Sequence, residues 1–145
     1  MSRLLIPFML LLALSAGCSD HASSIGTVEL EVLGGLTGQG TGDALHVDPD
    51  GTVMRSVQGA PWQTATLPAA TLHELQAKIS AADFPSLEAT YAGDVTDDYS
   101  DHVTVEVDGR DHEVAVDRSA TPPAALTAVL DALKAIHDDD GLGWH

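Results

Sequence analysis

Val103, Val105 and Val107 alternate with polar residues, Asp108-Gly109 follows, and Val114 and Val116 resume the alternation. An Asp-Gly pair between two period-two runs marks a two-residue β-hairpin, because both central residues must take positive φ to match the twist of the strands. No other stretch of the 145-residue chain restricts the fold as strongly. With a two-residue turn the register is fixed: Val107 faces Arg110, Val105 faces His112 and Val103 faces Val114. One face of the hairpin is then rich in valine and needs a second layer to cover it.

The rest of the chain supplies that layer. Val28, Leu30 and Val32 alternate with Glu29 and Glu31, predicting a strand with one wet face. Leu45 and Val47 predict a second strand, Pro49-Asp50-Gly51 a tight turn, and Thr52 to Ser56 a third strand. Residues 59–66, with Pro61 and Trp62, read as a loop. A helix follows, with Leu72, Leu75, Ile79 and Ala82 on one stripe. It starts either at Pro68, in the first turn, or at the capping box Thr71-x-x-Glu74. Phe84-Pro85 ends it. Thr121-Pro122 opens a final helix with Leu126, Val129, Leu130, Leu133 and Ile136 on one face, stopping near His137 because Asp138-Asp139-Asp140 opposes the helix dipole. The expected fold is α+β: one antiparallel sheet of four to five strands with two helices packed on one face.

The first residues belong to a different physical class. Met1-Ser2-Arg3 is a short positive region, and Leu4 to Leu14 is an apolar run of 11 residues broken only by Pro7, too short to span a bilayer. Ser15, Ala16 and Gly17 are small, and Cys18, the one cysteine in the chain, follows directly. This resembles the bacterial lipobox, with Leu14 one step further out than usual. The resemblance implies that residues 1–17 are a signal peptide, that the Cys18 thiol receives a diacylglyceryl group, and that Cys18, carrying palmitate-type acyl chains, becomes the new N-terminus. The protein is then exported and lipid-anchored to a bacterial membrane. Ser19 after the cysteine points to the outer membrane in a two-membrane cell. Residues 18–26 form the lipidated N-terminus and a polar tether, 27–137 the α+β domain, and 138–145 an expected mobile acidic tail with Trp144 loosely held.

Charge limits the partners. The chain carries 22 acids against 6 bases; without Arg3 of the leader, 5 bases remain and the formal charge is −17. Phosphate backbones would be repelled, so nucleic acid is not an expected partner. One cysteine makes no internal disulfide, and 128 residues suffice for one core without a bridge or metal.

Residue patterns give no catalytic constellation. Gly-x-Ser-x-Gly is absent, the glycine tract lacks the Gly-Lys-Ser/Thr ending of a phosphate loop, and paired acids are uninformative in so acidic a chain. No enzyme activity and no cofactor are expected. There is no His-x-x-x-His, and the hairpin register puts His112 and His102 on opposite faces, where they cannot share an ion. Asp94, Asp97, Asp98 and Asp101 are weak calcium candidates without EF-hand spacing; the alternative is a solvated acidic loop.

The most distinctive tract is Gly34-Gly35-Leu36-Thr37-Gly38-Gln39-Gly40-Thr41-Gly42, read as a flexible loop with Leu36 at its tip. Leu36 either plugs a partner's pocket or folds back on the sheet edge. In sequence order, Val28-x-Leu30-x-Val32 runs into Gly34–Gly38, and Leu67-Pro68 opens a helix closed by Ala82-Asp83-Phe84. The Val103–Val116 hairpin and Asp117 follow, then Pro122-Pro123 and a helix bearing Leu126 and Leu130. Together these resemble the emfourin family, small protein inhibitors of thermolysin-like (protealysin-type) metallopeptidases. The family tends to carry an aromatic residue two before the first hairpin valine; here that residue is Asp101, with Tyr99 two further back. The resemblance implies a domain that docks loops into a metallopeptidase cleft. Gly34, Gly35, Leu36, Thr37 and Gly38 are the expected inhibitory loop, supported by Arg118 and Ser119. A non-inhibitory envelope interaction or structural module, and a calcium-dependent binder, are the alternative readings.

Overall fold

A computed structural model describes residues 23–34, 39–95 and 98–145. Residues 1–22, with the expected signal peptide and Cys18, lie outside the described residues. So do 35–38, holding Gly35, Leu36, Thr37 and Gly38, and 96–97, holding Asp97.

The chain forms β1 (Ile25–Gly34), β2 (Gln39–Val47), β3 (Thr52–Ser56) and β4 (Gln63–Thr66), then α1 (Ala69–Ala82). β5 (Thr90–Tyr91), β6 (Tyr99–Val107), β7 (Arg110–Asp117) and α2 (Ala124–His137) complete it. The class is α+β, as expected. The sheet differs from the expectation of four to five antiparallel strands: among the described residues it has seven, in the order β4-β3-β2-β1-β6-β7-β5, and it is mixed because β5 runs parallel to β7. The two added strands sit at the edges. β4 is Gln-Thr-Ala-Thr, with one apolar residue, and β5 has two residues, so neither is long or apolar enough to show alternation.

The β6–β7 register is the one the turn dictates, with Val107 opposite Arg110, Val105 opposite His112 and Val103 opposite Val114. Asp108 and Gly109 both have positive φ, 51° and 74°. β1 pairs with β6 through Val28–Val105 and Leu30–Val103, and with β2 through Val28–Val47 and Leu30–Leu45. These residues share one face and form a single buried cluster with Leu75 and Ile79 of α1 and Leu126 and Leu133 of α2. Each such side chain contributes roughly 2–3 kcal/mol by leaving water. On the opposite face Glu29 and Glu31 are exposed.

The glycine tract is less of a loop than its composition implies. β2 already starts at Gln39, and Leu33 pairs with Gly40. Between Glu31–Ala44 and Leu33–Gly40 the register shifts, so β2 holds two extra residues there. Gly42 makes this bulge feasible. Its φ is 81°, and a Cβ would lie 2.2 Å from the Gly59 nitrogen, which donates to the Gly42 carbonyl at 2.9 Å.

Both helices start behind prolines. Pro68 precedes α1 and Pro123 precedes α2, with no side-chain cap at either. The Thr71–Glu74 box is not used; Glu74 pairs with Lys78 one turn on. α2 ends at His137, as expected, but the residues beyond it are not loosely held. Trp144 Nε1 donates to the Asp139 carbonyl at 2.8 Å, and its ring stacks on the Arg55 guanidinium, 4.3 Å from Cζ. His145 exchanges two backbone hydrogen bonds with Thr64 on the free edge of β4. Arg55 anchors this segment. It lies on the helix-covered face and donates to Gln63 Oε1, the His137 carbonyl and Asp140 Oδ1.

Candidate binding end of the sheet

β1 runs from Ile25 to Gly34, so one end of it adjoins the β6–β7 turn and the other adjoins the glycine tract. At the first end, Ser24 N and Oγ donate to Asp108 Oδ1, and Asp108 N returns a bond to the Ser24 carbonyl. The hairpin turn therefore clamps the chain where it enters the domain.

The other end gathers Gly34, Tyr99, Arg118 and Ser119. Gly34, last residue of β1, pairs with Tyr99, first residue of β6. The Tyr99 ring lies over Gly34 so closely that a Cβ there would fall 1.9 Å from Cδ1. Only glycine admits the ring in this place. Arg118 follows β7; its N–H donates to the Tyr99 carbonyl at 2.9 Å and its guanidinium lies 4.8 Å from the ring centroid. The root of the glycine loop, an aromatic platform and a cation thus form one stack.

Asp98 clips Ser119 to this stack. Its Oδ2 accepts from Ser119 N at 2.7 Å and its Oδ1 from Tyr99 N at 2.9 Å. Ser119 Oγ lies 1.8 Å from where a Gly93 Cβ would stand, and Gly93 N donates to Asp117 Oδ2, so the turn after β7 also rests on the segment leaving β5. Asp98 has its pKa lowered, first by the Ser119 hydrogen bond, then by the backbone donors of Ser119 and Tyr99 and the charge of Arg118; desolvation opposes the shift. A depressed folded-state pKa contributes stability that is present above the ordinary carboxylate pKa of about 4 and lost as pH falls through the folded value. The Ser119 amide resonance should therefore follow a titration whose midpoint lies below the ordinary carboxylate value. A midpoint at or above that value in an NMR titration contradicts the clip.

The sequence-predicted residues distribute unevenly. Gly34, Arg118 and Ser119 come together, although 84 positions separate Gly34 from Arg118. Gly35, Leu36, Thr37 and Gly38 are the residues that continue from Gly34 and lie outside the described residues. Tyr99 and Asp98 were not predicted as part of this end; the one available signal was an aromatic residue displaced from its expected place before the hairpin. The calcium candidates have separate surroundings: Asp94 is exposed, Asp98 binds backbone amides, and Asp101 is buried with its Oδ2 on Lys134 Nζ. Among the described residues no group of three or more His, Cys, Asp or Glu side chains is arranged to hold a metal ion. His102 pairs with Glu113 on the face opposite His112.

Beside this end, under α2, lies a small cleft of about 150 Å³ lined by Val32, Asp43, Arg118, Lys134 and His137 among others. It mixes both charges. No protein-family model matches the chain, and no curated protein matches its sequence.

Proposed function

We propose that the protein is a lipid-anchored bacterial envelope protein whose domain inhibits a thermolysin-like metallopeptidase, presenting the Gly34–Gly38 loop and the Arg118-Ser119 turn to the protease cleft. The observation that carries this reading is the meeting of Gly34, Tyr99, Arg118 and Ser119 at one end of the sheet. Two segments expected to act together are held by one aromatic ring and one carboxylate, so the loop root is fixed in direction. A binder that resists cleavage needs that restraint, because hydrolysis requires a well-aligned scissile bond. Leu36 then serves as the anchor in an apolar substrate pocket of the protease.

The direction of β1 supports the tethered form of the proposal. Its ten residues span about 30 Å. The chain enters at Ser24, six residues after Cys18, and the loop leaves at the other end. A lipid on Cys18 therefore adjoins the Ser24 pole, and Gly34, where the glycine tract begins, lies at the other pole. The partner is an exported or surface metallopeptidase passing within reach of a short tether.

Titration of a thermolysin-like protease with the purified protein tests the inhibitory claim. Inhibition at micromolar protein is expected, weakened at least tenfold by Leu36→Ala. No inhibition rejects the function, and unchanged inhibition by the variant rejects Leu36 as the anchor. Mass spectrometry of the membrane-extracted protein tests the anchor separately: acyl chains on Cys18 are expected, and a free thiol or uncleaved leader contradicts it.

A further inference from the structure

The face of the sheet away from the helices carries a second feature, unrelated to the Gly34 end. Trp62, just before β4, is 56% exposed. It stands between two concavities on this face. One, about 610 Å³, is lined by Glu29, Glu31, Ala44, His46, Met54 and Trp62 among others. The other, about 530 Å³, shares Glu31, Ala44 and Trp62 and adds Asp43 and Pro61. Among the described residues no lysine or arginine lines either one.

Two other aromatic rings set a precedent. Trp144 carries Arg55 over its ring, and Tyr99 carries Arg118. Trp62 has no such cation among the described residues, yet it has the carboxylates that would favour one. Asp43 is occupied by Thr41 Oγ1 and Gln58 N, and Glu29 by His46. Glu31, which lines both concavities, makes no hydrogen bond or ion pair among the described residues.

We infer that this outer face docks an extended basic segment of a partner protein, with a lysine or arginine side chain over the Trp62 ring beside Glu31 and an apolar residue two positions along the segment against Met54 and Ala44. The charge of the groove selects the occupant: an indole face and the Glu31 carboxylate attract a cation, whereas an acidic or nucleic-acid ligand meets Glu29, Glu31 and Asp43. Residues two apart in an extended segment repeat every 6–7 Å or so, matching a shallow surface with alternating apolar and charged spots. This surface is independent of the inhibitory loop and stands whether or not the domain inhibits a protease.

NMR titration of the labelled protein, as isolated in detergent micelles, with the amidated peptide Lys-Ser-Val-Ser-Lys-Ser-Val, which puts lysine and valine on one face when extended, tests it. A saturable shift of the Trp62 indole N–H is expected, with the Trp144 indole unmoved as internal control. Glu31→Gln, and Trp62→Leu read through the Ala44 and Met54 amides, should each weaken binding about threefold to tenfold, and added salt should weaken it further. The inference is overturned by no shift at millimolar peptide, by an equal response to the glutamate counterpart of the peptide, by equal movement of Trp144, or by unchanged binding in both variants.

Discussion

Lys134→Met is expected to cost the domain about 3 kcal/mol, read as a lower urea midpoint at unchanged slope. The reason lies in Asp101. The β1–β6–β7 register places it between Val32 and Val116 on the helix-covered face, and it is 3% exposed. Its Oδ2 accepts from Lys134 Nζ on α2, and its Oδ1 is buried with no partner among the described residues. Methionine keeps the stem of Lys134 and removes the charge, leaving a carboxylate with no cation under the helix. Removing one partner of a buried pair costs roughly 3–5 kcal/mol; the lower end applies because the Lys134 side chain is 41% exposed. The companion replacement separates charge from packing. Asp101→Leu with Lys134→Met should restore most of the loss, since a well-packed apolar pair often matches a buried ion pair. A double variant as unstable as the single one would show that Lys134 acts through packing alone.

Arg55→Met should cost roughly 2–4 kcal/mol and release the C-terminal segment. Arg55 is an inner-face residue in register with Leu45 and Gln63, where an apolar side chain would otherwise stand. Its three hydrogen bonds reach a neighbouring strand, the last carbonyl of α2 and Asp140. A guanidinium at a helix C-terminus is favoured by the dipole, and its planar fork serves several acceptors at once. Methionine fills the volume but leaves the His137 carbonyl bare and the Trp144 ring without its cation. Unfolding monitored by circular dichroism gives the stability change, and a red shift of tryptophan emission gives the release of Trp144. Arg55→Lys should recover only part of the loss, because an ammonium cannot span the three acceptors. Wild-type stability in the methionine variant would contradict this role.

These two clusters also show where sequence stops being informative. The hairpin register was readable because alternate valines and an Asp-Gly turn fix it locally. The helix stripes were readable for the same reason: Leu126, Leu130 and Leu133 are near neighbours in sequence. β4 and β5 were not, because short edge strands with few apolar residues have no period to detect. Asp101–Lys134 and Arg55–Asp140 join residues 33 and 85 positions apart, and nothing local marks them. The acidic run 138–140 suggested a solvated tail, whereas one arginine on β3 draws it onto the domain. In the glycine tract, Gly40 and Gly42 serve a bulge and a close backbone approach rather than a loop. At the candidate site the family resemblance grouped Gly34 with Arg118 and Ser119, whereas nothing in the residues themselves marked their meeting. Gly34 and Arg118 come together only because β1 pairs with β6, which composition cannot reveal, and Tyr99 joins them by lying over a residue with no side chain.

The most direct test of the proposed function is hydrogen exchange of the protein alone and in excess thiol-free, active thermolysin-like metallopeptidase, followed amide by amide. Protection is expected at 33–38, 98–100 and 117–119, with the tether end around Ser24 and Asp108 unchanged. Absence of protection at those residues, or protection confined to the helical layer, would contradict the account.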